Sequence, residues 1–229
     1  MLADRQPQPA ASERFDAVMA EYHARIEEED RRIEVLGRAL WDHADEFLLP
    51  IGPETGQVLC SLLEGMNAKR VMEIGTSYGY STLWLAKAMQ KTGGVVVSLD
   101  NVGAKQAFAQ SQLARVGLES YVEFVCGDAL ETIPELDGGF DFVLLDILWK
   151  ELYVSCFKLL DGKLTDNAIV AADNMIWPSR SAGRLYRDHV AETGRFESIL
   201  LPVGSGVDLS RLRNPASSAG AAVHDRTAA

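Results

Sequence analysis

Polar side chains recur in this chain at the ends of short runs of Val, Ile, Leu and Phe, where strands of a sheet would end. Five such places hold carboxylates, and the last also holds an amide; the residues are Glu73, Asp100, Asp128, Asp146 and the pair Asp173-Asn174. Clustered carboxylates repel one another, so a cationic ligand should lie among them. A nucleoside with a positive sulfonium and a divalent metal ion would both meet that need. For any single position, the preference of Asp and Asn for turns and helix starts explains the residue equally well.

A glycine-rich segment, VMEIGTSYGYS at residues 71–81, predicts a buried strand, a tight turn and the start of a helix. Such a turn brings backbone N–H groups and a helix N-terminus close to a ligand. Gly75 and Gly79 are four residues apart, which does not match the G-x-G-x-x-G pattern of dinucleotide enzymes. No Gly-Lys-Ser/Thr follows, which excludes a phosphate-binding P-loop. Tight packing of strand against helix is the other explanation of these glycines.

Two further strand ends have the chemistry of a nucleoside site. Asp100 lies about 25 residues after the glycine turn, where a carboxylate can accept hydrogen bonds from both hydroxyls of a ribose. Gly127-Asp128-Ala129 follows the third strand and is a polar edge suited to the amino group of adenine. In open α/β sheets, ligands bind beyond the carboxyl ends of the strands, so these residues are expected to meet.

Alternating strands and helices must position these side chains. The predicted strands are 70–74, 95–99, 121–126, 140–145 and 168–172, and the predicted helices between them are 79–90, 104–116 and 149–160. Continuous apolar strands separated by amphipathic helices indicate a parallel sheet covered on both faces. The strands 196–201 and 207–212 are joined by too few residues for a helix, so the last strand should return antiparallel. We predict an α/β fold with a doubly wound, mostly parallel, seven-stranded sheet and helices on both faces.

The domain boundaries follow from composition. We expect one domain over residues 12–213 with an N-terminal helical cap at 12–66, a flexible N-terminus at 1–11 and a disordered tail at 214–229. Residues 12–47 are expected to be one long helical stretch, whose charged run 27–32 faces solvent. Its apolar positions exceed what a doubly wound core needs, so they should cover a pocket or pack against a second subunit; they are Phe15, Val18, Met19, Tyr22 and Ile26.

Overall composition excludes several classes of protein. The net charge of −11 argues against nucleic acid or an anionic membrane as partner, and no apolar run reaches membrane-spanning length. Three scattered cysteines, Cys60, Cys126 and Cys156, are expected to be reduced core residues of a cytoplasmic protein. The four histidines form no ligand spacing, which argues against zinc.

Three motifs together resemble the cation-dependent O-methyltransferases of the catechol and caffeoyl-CoA type, within the class I enzymes that use S-adenosylmethionine (AdoMet). The motifs are MEIGTSYGYST at 72–82, FDFVLLD at 140–146 with Trp149, Lys150 and Tyr153, and AADN at 171–174. The resemblance covers roughly residues 51–211. It implies a Rossmann-like methyltransferase fold and, in solution, a homodimer.

The resemblance also implies roles for individual residues. The AdoMet-binding residues would be Glu73, Gly75, Thr76, Tyr80, Ser81, Asp100, Asp128, Ala129 and Asp146. Asp146, Asp173 and Asn174 would bind Mg²⁺ or another divalent cation such as Mn²⁺ or Ca²⁺, because three oxygen ligands leave room for water and two substrate oxygens. Lys150, assisted by Asp146, would be the catalytic base. In the family the lysine usually follows the metal-binding aspartate by three residues, whereas Lys150 follows Asp146 by four. Either a one-residue bulge after the fourth strand absorbs this offset, or Lys150 is displaced and is a surface lysine at the start of a helix.

The resulting hypothesis is metal-assisted methyl transfer from AdoMet to a hydroxyl of a small aromatic acceptor, catechol-like or another vicinal diol. Trp149, Trp177 and Tyr153 would form the apolar wall for its ring, although Trp177 is equally explained by packing. A metal-independent small-molecule methyltransferase and a non-catalytic AdoMet-binding module are the main alternatives. A NAD-dependent dehydrogenase would share the fold, but the missing third glycine and the Asp173-Asn174 pair argue against it.

Overall fold

The computed structural model describes residues 10–213, so the predictions for 1–9 and 214–229 lie outside the described residues. Seven strands form one sheet: β1 (Arg70–Ile74), β2 (Val95–Asp100), β3 (Val122–Cys126), β4 (Phe140–Leu145), β5 (Leu164–Ala172), β6 (Phe196–Leu201) and β7 (Val207–Leu212). Their order is β3-β2-β1-β4-β5-β7-β6. Strands β1 to β5 pair in parallel, and β7 runs antiparallel to both β5 and β6. The predicted fold class and the antiparallel last strand are confirmed.

Seven α-helices accompany the sheet in the described part of the chain: α1 (Ala11–Leu36), α2 (Pro53–Gly65), α3 (Tyr80–Thr92), α4 (Gly103–Val116), α5 (Ala129–Glu135), α6 (Tyr153–Leu159) and α7 (Arg180–Glu192). Short 3₁₀ turns occur at Gly37–Asp42, Ala44–Glu46, Glu119–Tyr121 and Lys150–Leu152. None of the helices within residues 10–213 is both long and apolar enough to cross a lipid bilayer.

The two faces of the sheet carry separate hydrophobic cores. One core joins β1, β4 and β5 to α1, α2 and α3, and the other joins the opposite face to α5, α6 and α7. In the first core, Phe15 of α1 meets the ring of Trp84 edge-on, with 5.4 Å between ring centroids. The apolar positions of α1 that are fully buried, Phe15, Val18, Met19 and Tyr22, therefore pack within this chain. They pack against α3 and α4, and they do not present a free apolar face to a second subunit.

Several local predictions are corrected. The N-terminal helix ends at Leu36 and does not continue to Phe47, because Gly37 takes a positive φ of 53° and breaks the helical path. Within the charged run 27–32, Glu29 is buried while its neighbours are exposed. Cys126 is exposed and is not a core residue, although all three cysteines are free, as expected.

Candidate functional site

A cavity of about 810 Å³ opens at the carboxyl ends of the parallel strands. Its floor comes from the ends of β1, β2 and β4 and from the loop after β5, and its roof comes from α1 and residues 44–53. The strand order reverses between β1 and β4, which is the switch point where open α/β sheets bind ligands. The volume lies within the range of small-molecule sites.

The glycine-rich turn forms one wall of this cavity. Gly75 has a φ of 109°, and a Cβ atom added there would lie 1.9 Å from the carbonyl oxygen of Asp146. The turn thus brings the ends of β1 and β4 closer than any side chain at this position allows. The N–H groups of Gly75 and Thr76 both donate to the carbonyl of Leu99, at 2.9 and 3.1 Å, so the turn is also fixed to β2.

Glu73 lies beneath the turn and does not line the cavity, contrary to the predicted position on the methionine side of AdoMet. Its carboxylate has no solvent exposure and accepts hydrogen bonds from Ser81, Thr82 and Ser98 at 2.5 to 2.6 Å. Burial raises the pKa of Glu73 to about 7, although these hydroxyl donors oppose the shift. The glutamate therefore anchors the first turn of α3 to β1 and β2.

Thr76, Tyr80 and Ser81 line the cavity, as predicted, but each is also part of the supporting structure. Thr76 Oγ1 lies 2.6 Å from the hydroxyl of Ser98 and accepts a hydrogen bond from Gln106 at 3.2 Å. The hydroxyl of Tyr80 lies 3.0 Å from Nε2 of His23 on α1.

Sequence reasoning missed Ser98 and Gln106. Ser98 is the one polar side chain inside the apolar run of β2, which was a readable signal. Gln106 carried no such signal, since it lies in an ordinary amphipathic helix.

Asp100, the residue expected to hold a ribose, lines the cavity. One carboxylate oxygen accepts the N–H of Ser77 at 2.7 Å, and the other accepts the N–H of Val102 at 2.9 Å. These two bonds orient the carboxylate and leave further lone pairs for ligand hydroxyls. Asp128 and Ala129 also line the cavity, and Asp128 caps α5 through a 2.7 Å hydrogen bond from Leu130 N–H. Asp128 therefore both caps a helix, as Asp often does, and lines the cavity.

Asp146 and Lys150 meet at the opposite end of the cavity. Lys150 Nζ donates to the carbonyl of Ile147 at 2.5 Å and to the hydroxyl of Tyr153 at 2.9 Å, and lies 3.4 Å from Asp146 Oδ1. Residues 146–149 are irregular and α6 begins only at Tyr153, so a helical spacing does not apply. This irregular connection absorbs the extra residue between Asp146 and Lys150.

Asp173 and Asn174 lie beside Asp146. The N–H of Asp173 donates to the carbonyl of Leu145 at 3.1 Å, which sets the two strand ends side by side. Asp173 is 1% exposed, and both of its oxygens lie 2.8 Å from the hydroxyl of Ser205. Burial, reinforced by the charge of Asp146, raises the pKa of Asp173 to about 7.

Asn174 adds an amide to this end of the cavity, and its φ of 62° is one that Asn tolerates better than most residues. Ser205, in the loop before β7, was not foreseen, because a serine between two glycines is ordinary in a turn. Within residues 10–213, no group of three or more His, Cys, Asp or Glu has the arrangement of a metal site. A metal here would accordingly rely on two carboxylates and an amide.

Exposed indole rings stand at the mouth of the cavity. Trp149 and Trp177 are each 58% exposed, and Trp41 of the cap is 43% exposed. All three line the cavity, so Trp177 is not a core residue. Tyr153, also expected in this wall, is instead fully buried behind Lys150.

The O-methyltransferase family model matches residues 27–213 of this chain, which includes every cavity-lining residue except Ile26. The chain belongs to the O-methyltransferase family. The resemblance drawn from the three motifs is thereby confirmed, and the protein is an AdoMet-dependent O-methyltransferase.

Catechol and caffeoyl-CoA O-methyltransferases are among the curated relatives of this chain. It is 36% identical to a catechol O-methyltransferase of Mycobacterium tuberculosis over 136 residues, which are 59% of this chain and 61% of that relative. It is 30% identical to a caffeoyl-CoA O-methyltransferase of Populus trichocarpa over 187 residues, covering 72% of this chain and 75% of that one.

Solved structures share the fold of this chain. A cofactor-bound protein from MTB superposes with a TM-score of 0.71 at 27% identity, covering 92% of this chain and all of that one. The O-methyltransferase TomG of Streptomyces achromogenes, in complex with SAM, superposes with a TM-score of 0.65 at 26% identity, covering 80% and 89% of the two chains.

Proposed function

We propose that this enzyme transfers the methyl group of AdoMet to one hydroxyl of a small aromatic vicinal diol, with the help of a divalent metal ion. The observation that carries the proposal is that Asp146, Lys150 and Asn174 line one end of the cavity, opposite the nucleoside end, with the carboxylate of Asp173 buried directly beside Asp146. The proposal extends to the acceptor and the metal, since catechol and caffeoyl-CoA enzymes are among the relatives.

The nucleoside end supports donor binding. Asp100 is oriented by two backbone N–H groups, and the glycine turn leaves room for a ligand next to the backbone. Asp128 and Ala129 lie further along the same wall, beside β3. When bound, AdoMet supplies a methyl group on a positive sulfur, which the carboxylates of Asp100 and Asp146 favour electrostatically. These residues hold and orient the donor, and they take no part in bond making.

The residues at the other end fit a divalent cation. Asp173 is a buried carboxylate whose side-chain partner is one hydroxyl, and its charge is repelled by Asp146. Two carboxylates and one amide oxygen are hard ligands that suit Mg²⁺, and their two negative charges balance those of the ion. Such a cation would supply Lewis acidity that lowers the pKa of a bound hydroxyl.

Lys150 is the proposed base. A neutral lysine amine keeps two N–H donors, which match the carbonyl of Ile147 and the hydroxyl of Tyr153. Its third and longest contact is the donation to Asp146 Oδ1 at 3.4 Å, which is an ion pair. A cation held by Asp146 would take over that carboxylate and leave this third direction of the amine free for its lone pair. The acceptor hydroxyl would lie in that direction, so the amine can take its proton as the oxygen attacks.

The rings of Trp149 and Trp177 support an aromatic acceptor. They are large, exposed and adjacent to the proposed metal ligands in the cavity lining. A flat ring placed between them gains stacking and excludes water from the reacting oxygen. In the proposed complex, the ring of the acceptor lies at the mouth of the cavity and its diol lies inside.

Mass spectrometry of the products tests the proposal. The protein is incubated with AdoMet and either a catechol or the matching phenol with a single hydroxyl. We expect one methyl group to be added to the catechol and none to the phenol. Lys150→Met should lower the rate about a hundredfold or more, the usual contribution of a general base. Lys158→Met, which removes an exposed lysine of α6, should leave the rate unchanged. The absence of methylation with every vicinal diol would refute the proposal.

A further inference from the structure

Glu29 is a buried carboxylate of the cap that the proposed mechanism does not use. It is 6% exposed, although it lies in the middle of a charged run whose other members are exposed. Its Oε1 accepts a hydrogen bond from Arg25 Nε at 2.6 Å, and its Oε2 accepts the backbone N–H of Leu48 at 2.7 Å. A carboxylate in such a place has a specific task, because burial of an unpaired charge is costly.

Leu48 belongs to a cap segment, Ala44–Leu48, that contributes four residues to the cavity lining. The carbonyl of Leu48 accepts a longer hydrogen bond from Ser77 Oγ, at 3.4 Å. Ser77 is part of the glycine-rich turn, and its own N–H donates to Asp100. One continuous series of hydrogen bonds therefore runs from Glu29 through Leu48 and Ser77 to the carboxylate proposed to hold the ribose.

A second set of contacts fixes α1 to the same turn. The guanidinium carbon of Arg25 lies 4.1 Å from the centroid of the Tyr78 ring, and Tyr22 donates its hydroxyl to the carbonyl of Tyr78 at 2.5 Å. Lys105 of α4 pairs with Asp45 at 3.3 Å, which holds the other end of the cap segment. The cap segment is thus clamped between α1, α4 and the turn.

We propose that Glu29 is a positioning residue of the donor site, which holds the cap segment on the glycine-rich turn and so fixes Ser77 and Asp100 for AdoMet. The inference rests on the proposed function, because it takes Asp100 to be the ribose ligand. Glu29 borders the cavity, but both of its carboxylate oxygens are already engaged, by Arg25 and by the N–H of Leu48, so it acts through the cap segment. Its loss should weaken AdoMet binding and leave the chemistry at Asp146 and Lys150 intact, since those residues lie on β4 and the loop that follows it.

Calorimetric titration with AdoMet tests this role in three variants of the whole protein. Glu29→Ala removes the acceptor of the Leu48 N–H, and we expect the dissociation constant for AdoMet to rise about tenfold, as for one buried hydrogen bond to a charged group. Glu29→Gln keeps an amide oxygen that can accept the same N–H, so its dissociation constant should stay within about threefold of native. Glu28→Ala, an exposed neighbour on α1, should bind as the native protein does.

Hydrogen exchange reports on the cap segment directly. The amides of residues 44–48 should exchange faster in Glu29→Ala than in the native protein, and at near-native rates in Glu29→Gln. Native affinity in Glu29→Ala, or a Glu29→Gln variant that binds more than tenfold more weakly than native, would overturn the inference. If Glu29→Ala does not fold, the affinity of Glu29→Gln for AdoMet still tests the inference. A native protein that binds no AdoMet would instead refute the proposed function itself.

Discussion

At the scale of single residues, Glu73 shows how the direction of a side chain decides its role. Side chains alternate along a strand, so Glu73 shares a face of β1 with Val71, which packs in the core beneath α3. The carboxylate therefore meets Ser81 and Thr82 in the first turn of α3 and does not reach the open edge. The sequence placed an acid beside the glycine turn, but it did not reveal which face the helix would cover.

The buried position of Glu73 predicts a pH-dependent stability. Its pKa is raised from 4.5 to about 7 by burial, so the folded protein holds a proton that the unfolded chain has released. The stabilisation is fully present below about pH 4.5 and is lost as the pH rises toward 7. Glu73→Gln resembles the protonated form and should be more stable than native at neutral pH, by at most on the order of 3 kcal/mol.

Urea unfolding of both proteins, in the absence of ligand, between about pH 5 and about pH 8 checks this expectation. The difference between variant and native should grow with pH. Glu123→Gln, which changes an exposed glutamate of β3, serves as control and should show no such trend. A stability difference between Glu73→Gln and native that does not change with pH would mean that Glu73 is not a titrating group in this range.

The proximity of other site residues was predictable from their positions at the ends of strands. Asp146, Asp173 and Asn174 follow adjacent parallel strands, and the register of a parallel sheet brings such residues together. Ser205 and Glu29 were not predictable in this way. Each reaches the site through a contact between segments far apart in sequence, and neither stands out in its own segment.

At the scale of elements, six of the seven strands were predicted to within one residue, because continuous Val, Ile and Leu runs reflect burial on both faces. The exception is β5, which begins at Leu164, four residues before the predicted start, because its first four residues are not buried and carry no apolar run. Two helices were missed. α5 has seven residues and contains Pro134, so it shows little periodicity. α7 is mostly polar, with a narrow buried face of Gly183, Tyr186 and Val190. Helices that cover only the margin of a sheet need few apolar residues, which weakens their signal.

The contact between the glycine turn and the loop after β4 gives a prediction at this scale. Gly75→Ala places a methyl group against the carbonyl of Asp146 at a φ that L residues rarely adopt. We expect it to lower the free energy of unfolding by at least about 2 kcal/mol and to abolish AdoMet binding, because the turn must move away from β4. Gly65→Ala, at the end of α2 with open space around it, is the matched control and should be neutral or slightly stabilising. Thermal unfolding and calorimetry measure both effects, and a native-like Gly75→Ala would contradict the close approach.

At the scale of the whole molecule, the homodimer stays a prediction. The apolar residues of α1 that suggested it are satisfied within the chain, so the prediction now rests on the family resemblance. Light scattering at micromolar concentration should give twice the mass of one chain. A mass equal to one chain would contradict the prediction.

The proposed site has a nucleoside end and a metal end. The central prediction is that Asp146, Asp173 and Asn174 hold a catalytic divalent cation. The most direct test is the initial rate of methyl transfer to a catechol at saturating AdoMet, after EDTA treatment and after addition of excess Mg²⁺. We predict that EDTA abolishes the rate of the native protein and that excess Mg²⁺ restores it. The control Asp166→Asn, which changes an exposed carboxylate of β5, should behave in the same way. Mg²⁺ should not restore the rate of Asp173→Asn. AdoMet binding should survive in all three proteins. A full rate in the metal-free native protein would contradict the claim and establish a metal-independent methyltransferase.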